Sequence, residues 1–120
     1  MAPRTINNPN GFDGKTQMLL RKEDVRALPA LYATEDNPDP TVHVHLFCPY
    51  SRAHWYLTEY DPAKDLAFGL ADLGEPELGY IAIHELRALA FKVMGGRIQA
   101  VERDVSWRPC PLSEVRNARR

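Results

Sequence analysis

Three groups of side chains in this chain have the types and spacing that chemistry requires. His43 and His45 stand two apart in the alternating stretch TVHVHLF. Residues two apart on a strand project from one face, so the pair offers two imidazoles to a single ion, with His54 or Glu59 on the next strand as the third ligand. Alternating strands usually turn such positions to solvent, and the expectation is no bound metal and no cofactor. His84-Glu85 opens like the helical zinc-protease signature, in which a second His one turn later completes the metal pair and the Glu is the base. Position 88 is Ala, which removes that reading. The third group is acidic. Glu59, Glu77, Glu85, Glu102 and Asp104 come from different segments, with Arg103 between the last two as their counter-ion. Carboxylates brought together do acid–base work when burial separates their pKa values. A hydrolase-like site would then be built from Glu35, Glu59, Glu77, Glu102, Arg103 and Asp104. No nucleophile elbow, glycine-rich phosphate loop or zinc-spaced cysteine pair is present. Cys48 and Cys110 are isolated and are expected to be reduced.

These residues are positioned by a period that changes along the chain. Residues 1–17 hold Pro3, Pro9, Gly11 and Gly14 among several Asn and read as a flexible arm with no apolar core of the signal-peptide kind. A single domain is expected over 18–115, followed by a basic tail at 116–120. Arg21 to Leu28 predicts a short helix that Pro29 ends, and a turn-rich loop follows to Pro40. From Thr41 the period is two, with Val42, Val44 and Leu46 on one face and His43, His45 and Phe47 on the other. HWYLTEY at 54–60 predicts the antiparallel partner strand. Leu66, Phe68 and Leu70 share a face of a third strand, and Leu78 to Ile83 is the fourth. That run passes directly into a helix predicted over 84–93, where Leu86, Leu89, Ala90 and Val93 recur at helical spacing and Gly95-Gly96 supply the cap. A last strand is expected from Ile98 to Val105, and a single helical turn at 113–116. The fold class is therefore α+β: an antiparallel meander of four to five strands, with the 84–93 helix on its apolar face and the 21–28 helix at an edge or end.

Composition is that of an ordinary globular domain, 44% hydrophobic and 26% charged, with no apolar run of the ~20 residues that a membrane helix needs. A cytoplasmic location and no membrane association are the default expectations. The net charge of −1 conceals an uneven distribution: residues 30–86 carry ten acids and two bases, whereas both ends are basic. An acidic section steers basic partners, and a basic one steers nucleic acid.

The order of LPALYATE (28–35), VHVHLFCP (42–49), WYLTE (55–59), FGL (68–70), ELGY (77–80), HEL (84–86) and ERD (102–104) resembles a family of small bacterial domains of unknown function. That family is commonly found on plasmids, integrative elements and phages, often near antirestriction genes, and the resemblance implies such a setting for this chain. The likeness covers about residues 19–115. The polar matches are Glu35, Glu59, Glu77, Glu85, Glu102, Arg103 and Asp104, and the aromatic ones Tyr32, Trp55, Tyr56 and Tyr80. The family often has Lys where His45 stands, and Ser or Thr where Ile83 and His84 stand, which weakens a histidine-based metal site further. The resemblance implies a mobile-element accessory protein and carries over no activity.

Three function classes follow. The first is a non-enzymatic protein that binds a host protein, such as a nuclease or CRISPR-type complex of a defence system, through an acidic surface whose candidate residues are Glu59, Asp72, Glu75, Glu77 and Glu85. The second is the carboxylate-cluster enzyme. The third is a nucleic-acid-binding accessory that uses the N-terminal bases and Arg116, Arg119 and Arg120. Either a monomer or a homodimer is compatible with the chain.

Overall fold

The computed structural model of the chain describes residues 18–118, so the expected arm at 1–17 and the last two arginines lie outside the described residues. Twelve elements follow in order: α1 (Lys22–Ala27), β1 (Thr41–Val42), β2 (Val44–Phe47), β3 (His54–Asp61), β4 (Leu66–Asp72), β5 (Pro76–Ala82), α2 (Ile83–Ala88), β6 (Ala90–Val93), β7 (Gly96–Gln99), β8 (Glu102–Arg103), β9 (Cys110–Pro111) and α3 (Leu112–Ala118). The central sheet has five antiparallel strands in the order β5-β4-β3-β2-β8. Its first four strands form the expected meander. The fifth comes from far along the chain and returns to the edge beside β2.

Register assigns each side chain to a face, because directly opposed residues share one. Val44, Leu46, Trp55, Leu57, Tyr60, Ala67 and Ile81 project to one side, where they meet Leu19, Leu20, Leu28, Ile83 and Leu86 in the main core. This face is covered by α1 and α2, as amphipathic spacing requires. The short α1 is fixed at its start by Asp24, which accepts the Arg21 backbone N–H and one guanidinium N–H, both at 2.8 Å. At the strand-to-helix junction Asp65 ties α2 to the β3–β4 turn: it accepts from Tyr60 Oη at 2.5 Å and from the Arg87 guanidinium at 2.6 Å, while its carbonyl accepts the Ile83 N–H. Burial alone would raise the Asp65 carboxyl, but the hydrogen bonds from Arg87 and Tyr60 outweigh it and hold the group below its usual range.

Several expectations are corrected. The second helix ends at Ala88, not at position 93, because the segment after it forms the β6–β7 hairpin, with Phe91 opposite Ile98 and Val93 opposite Gly96. Gly95 adopts φ 84°, so the glycines make a hairpin turn and not a helix cap. The single strand expected at 98–105 is divided, one part pairing in this hairpin and the other at the edge of the main sheet. Val42 does not share a face with Val44. The ladder breaks at His43, β1 leaves to pair with β9, and Val42 joins a second cluster with Tyr56, Leu70, Leu112 and Val115 on the other side of the sheet. There α3 packs, with Leu112 and Val115 buried. It is longer than the single turn expected, and it takes in Arg116, which is therefore helical and not part of a tail. The two cysteines are free, and they belong to different clusters.

Candidate functional site

The second face of the sheet is covered at one end by α3, and beside that helix it encloses a cavity of about 610 Å³. The floor comes from the β-ladder: Thr58 and Glu59 on β3, Phe68 on β4, Leu78 and Tyr80 on β5. How Glu59 reaches this face is a matter of one residue. The pairing of β3 with β4 slips between Leu57 and Glu59, with Leu57 opposite Gly69 and Glu59 opposite Phe68, so that Thr58 is a bulge. Without it, strict alternation would place Glu59 on the face of Trp55 and Leu57. With it, the carboxylate turns to the cavity and Tyr60 turns to the main core. Thr58 uses its hydroxyl to donate to the Phe68 carbonyl at 3.1 Å. Gly69 fits beside this irregularity because a Cβ there would lie 1.9 Å from the Tyr56 carbonyl oxygen.

The wall of the cavity is the loop from Pro29 to Pro40, a series of turns in which Ala33, Glu35 and Asn37 each donate their N–H three residues back. Glu59, only 4% exposed, anchors it. One carboxylate oxygen accepts the Tyr32 N–H at 2.8 Å, and the other accepts the Thr34 N–H at 2.9 Å and the Thr34 hydroxyl. Tyr32 sits at φ 71°, a left-handed conformation that non-glycine residues rarely hold unless their surroundings fix it, and the Glu59 bond to its N–H is such a fixture. The far end of the loop is fixed by Asp39, which accepts the Ser113 N–H and hydroxyl at the start of α3, each at 2.8 Å. At the mouth the Tyr80 hydroxyl donates to the Tyr32 hydroxyl at 2.7 Å, and the Tyr80 ring meets Phe68 edge-on at 5.4 Å.

Electrostatically the cavity is acidic. Among the described residues Glu35, Asp39 and Glu59 line it against one base, Arg116. Glu59 is bonded to neutral donors, and among the described residues no cation pairs with it. The hydrogen bond to Tyr32 is the main cause of a raised Tyr80 phenol pKa, and the negative field of Glu59 and Glu35 adds to it.

A second constellation lies on the same face toward the β8 edge. Register puts His45 opposite Tyr56, and His54 lies two residues before Tyr56 on the same side, a diagonal neighbour. Asp104 Oδ2 lies 2.9 Å from His45 Nδ1, and His45 Nε2 lies 2.9 Å from His54 Nδ1. His45 is stacked on Tyr56 at 4.6 Å and flanked by Trp107 at 5.2 Å. Burial depresses its pKa and outweighs the opposing pull of Asp104. A neutral His45 with a carboxylate at Nδ1 carries its proton there and accepts from His54 at Nε2. The chain of groups can orient an imidazole and move a proton. Among the described residues it ends at His54 without a hydroxyl or thiol nucleophile bonded to it, so it is not a triad.

The other sequence-derived groupings come apart. Among the described residues no three His, Cys, Asp or Glu side chains are placed to hold a metal ion. His43 feels Asp24 of α1, whereas His45 is engaged with Asp104 and His54. The hydrolase-like cluster does not form: Glu102, Arg103 and Asp104 belong to the β8 edge and Glu77 to the β5 edge, with three strands between them. Glu77 and Glu102 also project to opposite faces. Of that set, Glu35 and Glu59 do meet, in the cavity. Among the acidic-surface candidates, Glu59 and Asp72 are buried and cannot present charge to a flat partner surface, while Glu75, Glu77 and Glu85 are exposed. Sequence reasoning passed over Phe68 and Leu78 as cavity floor and Thr34 and Asp39 as loop anchors. The shared face of Leu66, Phe68 and Leu70 was the available signal for the first of these.

An antiparallel five-stranded sheet with one face sealed by helices and the other hollowed beside α3 defines a small α+β domain. Residues 15–120 match the family described as Protein of unknown function (DUF2958), and the chain belongs to that family. No curated protein and no solved structure matches it. Among the described residues no helix is long and apolar enough to cross a membrane.

Proposed function

We propose that this protein is a non-enzymatic accessory protein of a mobile element that binds a host protein through the acidic cavity between the 29–40 loop, the sheet and α3. The observation that carries this reading is the cavity itself: about 610 Å³, within the range of ligand sites, with a pinned wall, aromatic sides and, among the described residues, three acids to one base. Glu35, Asp36 and Asp39 on the wall loop are exposed and extend the negative potential to the rim. Such a surface is complementary to the basic groove of a nucleic-acid-binding protein, the kind of target that a counter-defence inhibitor of a nuclease or CRISPR-type complex occupies. The mobile-element setting and the defence target rest on the resemblance in segment order. The scattered carboxylates support no hydrolase reading. A photo-crosslinker at position 80, used in cells that carry the gene, is expected to trap one defined protein, while the same group at Lys22, on α1 of the other face, traps none. Equal capture from both positions, or none from position 80, would overturn the reading.

A further inference from the structure

Among the described residues the cavity leaves a negative charge unmatched. Glu59 is nearly sealed from water and, among the described residues, is bonded to uncharged donors alone, while the one base among the described lining residues, Arg116, faces three lining acids. A carboxylate in a low-dielectric setting is stabilised strongly by a cation brought near it. Aromatic faces do the same by quadrupole attraction within ~6 Å of a ring centroid, most often for arginine. Tyr32 and Tyr80, joined through their hydroxyls at 2.7 Å, form an aromatic pair at the entrance, and the exposed Glu35 stands on the same wall. Resting on the function proposed above, we infer that the cavity receives an arginine or lysine side chain of the partner protein, its cationic head held between the Tyr32–Tyr80 pair and the carboxylates of Glu35 and Glu59. Glu59 acts through its field, since its oxygens are occupied by the loop, and Glu35 makes the direct contact. A volume of about 610 Å³ exceeds one side chain, so flanking residues of the partner segment enter with it.

Titration of the full-length protein with N-acetyl-arginine methylamide, followed by backbone amide NMR, tests this without knowledge of the partner. Saturable shifts are expected at Tyr32, Thr34 and Glu35. The neutral isostere N-acetyl-citrulline methylamide is expected to bind about tenfold more weakly, and Glu35→Gln and Tyr80→Ala each to weaken the arginine probe by several-fold. Both positions are exposed, and an unchanged amide spectrum elsewhere reports that the variants fold. Equal binding of the citrulline probe, or shifts confined to another surface, overturns the inference. Spermidine binding more tightly than the arginine probe overturns the assignment to a partner side chain in favour of a free polyamine. A protein cross-linked from position 80 together with a silent arginine probe defeats this inference and leaves the proposed function standing. Probe binding with no cross-linked protein defeats the proposed function instead.

Discussion

The two faces of the central sheet are made by the same four long strands and have opposite characters. One is dry and continuous: Leu46, Leu57 and Ile83 have no exposed surface, and the cover is supplied by two helices and the segment before α1. The other has a small cluster around Leu112 and Val115, a stack of histidine and aromatic rings, and a cavity with a buried carboxylate. Buried hydrocarbon is thus concentrated on one side, and polar groups that are costly to bury are gathered on the other. A sheet with a sealed face tolerates a hollowed one, because register and strand order are already specified by the sealed side.

The largest expected effect tests that division directly. Leu57→Ala, in the dry core, should cost ~4 kcal/mol of unfolding free energy in urea denaturation, whereas Leu112→Ala, beside the cavity, should cost ~2 kcal/mol. Equal losses would mean that both faces hold the fold alike. Next comes Glu59→Gln, which keeps size but turns an amide NH2 toward a backbone or hydroxyl donor of the wall loop. A cost of ~1–3 kcal/mol is expected, together with faster hydrogen exchange at the Tyr32 and Thr34 amides and unchanged exchange at Leu46. Unaltered loop exchange would show that the carboxylate does not anchor the wall. The smallest effect concerns pH. His45 is held neutral, its folded pKa lying below the unfolded value of ~6.5. Its contribution to stability is complete above that unfolded value and is lost as pH falls from it toward the folded pKa. His43, also depressed by burial, acts with the same sign. The melting temperature should therefore fall between about pH 7 and pH 5, and His45→Gln should make that fall shallower. A slope unchanged in the variant would separate the ring stack from the pH response.

Much of the dry face was legible in the sequence. The alternation that sets Val44 and Leu46 on one face, and the passage of an apolar strand into Ile83 and Leu86, are short-range patterns that survive into the structure. The helix over 84–93 was misread because Phe91, Val93 and Ile98 suit a hairpin as well as a helix, and Gly95 at positive φ serves either ending. The open face was hidden for a different reason. Its residues are brought together by register, not spacing: His45 meets His54 diagonally across a hairpin, Asp104 arrives from a strand added at the edge, and Glu59 faces the cavity through an irregularity that alternation alone does not reveal. The family resemblance had already marked Glu35, Glu59, Tyr32 and Tyr80 without saying that they meet.

The bulge at Thr58 also constrains how the chain can change length. Along β3 the two sides are kept in order by parity, and a single odd residue separates the stretch that obeys one parity from the stretch that obeys the other. Removing it would exchange neighbours: the carboxylate of Glu59 would be carried into hydrocarbon and the phenol of Tyr60 into the acidic hollow, with every composition-based measure of the strand nearly unchanged. Losses or gains of residue pairs at this point conserve the arrangement, and single ones invert it, so the number of residues between Trp55 and Asp65 carries information that their identities do not.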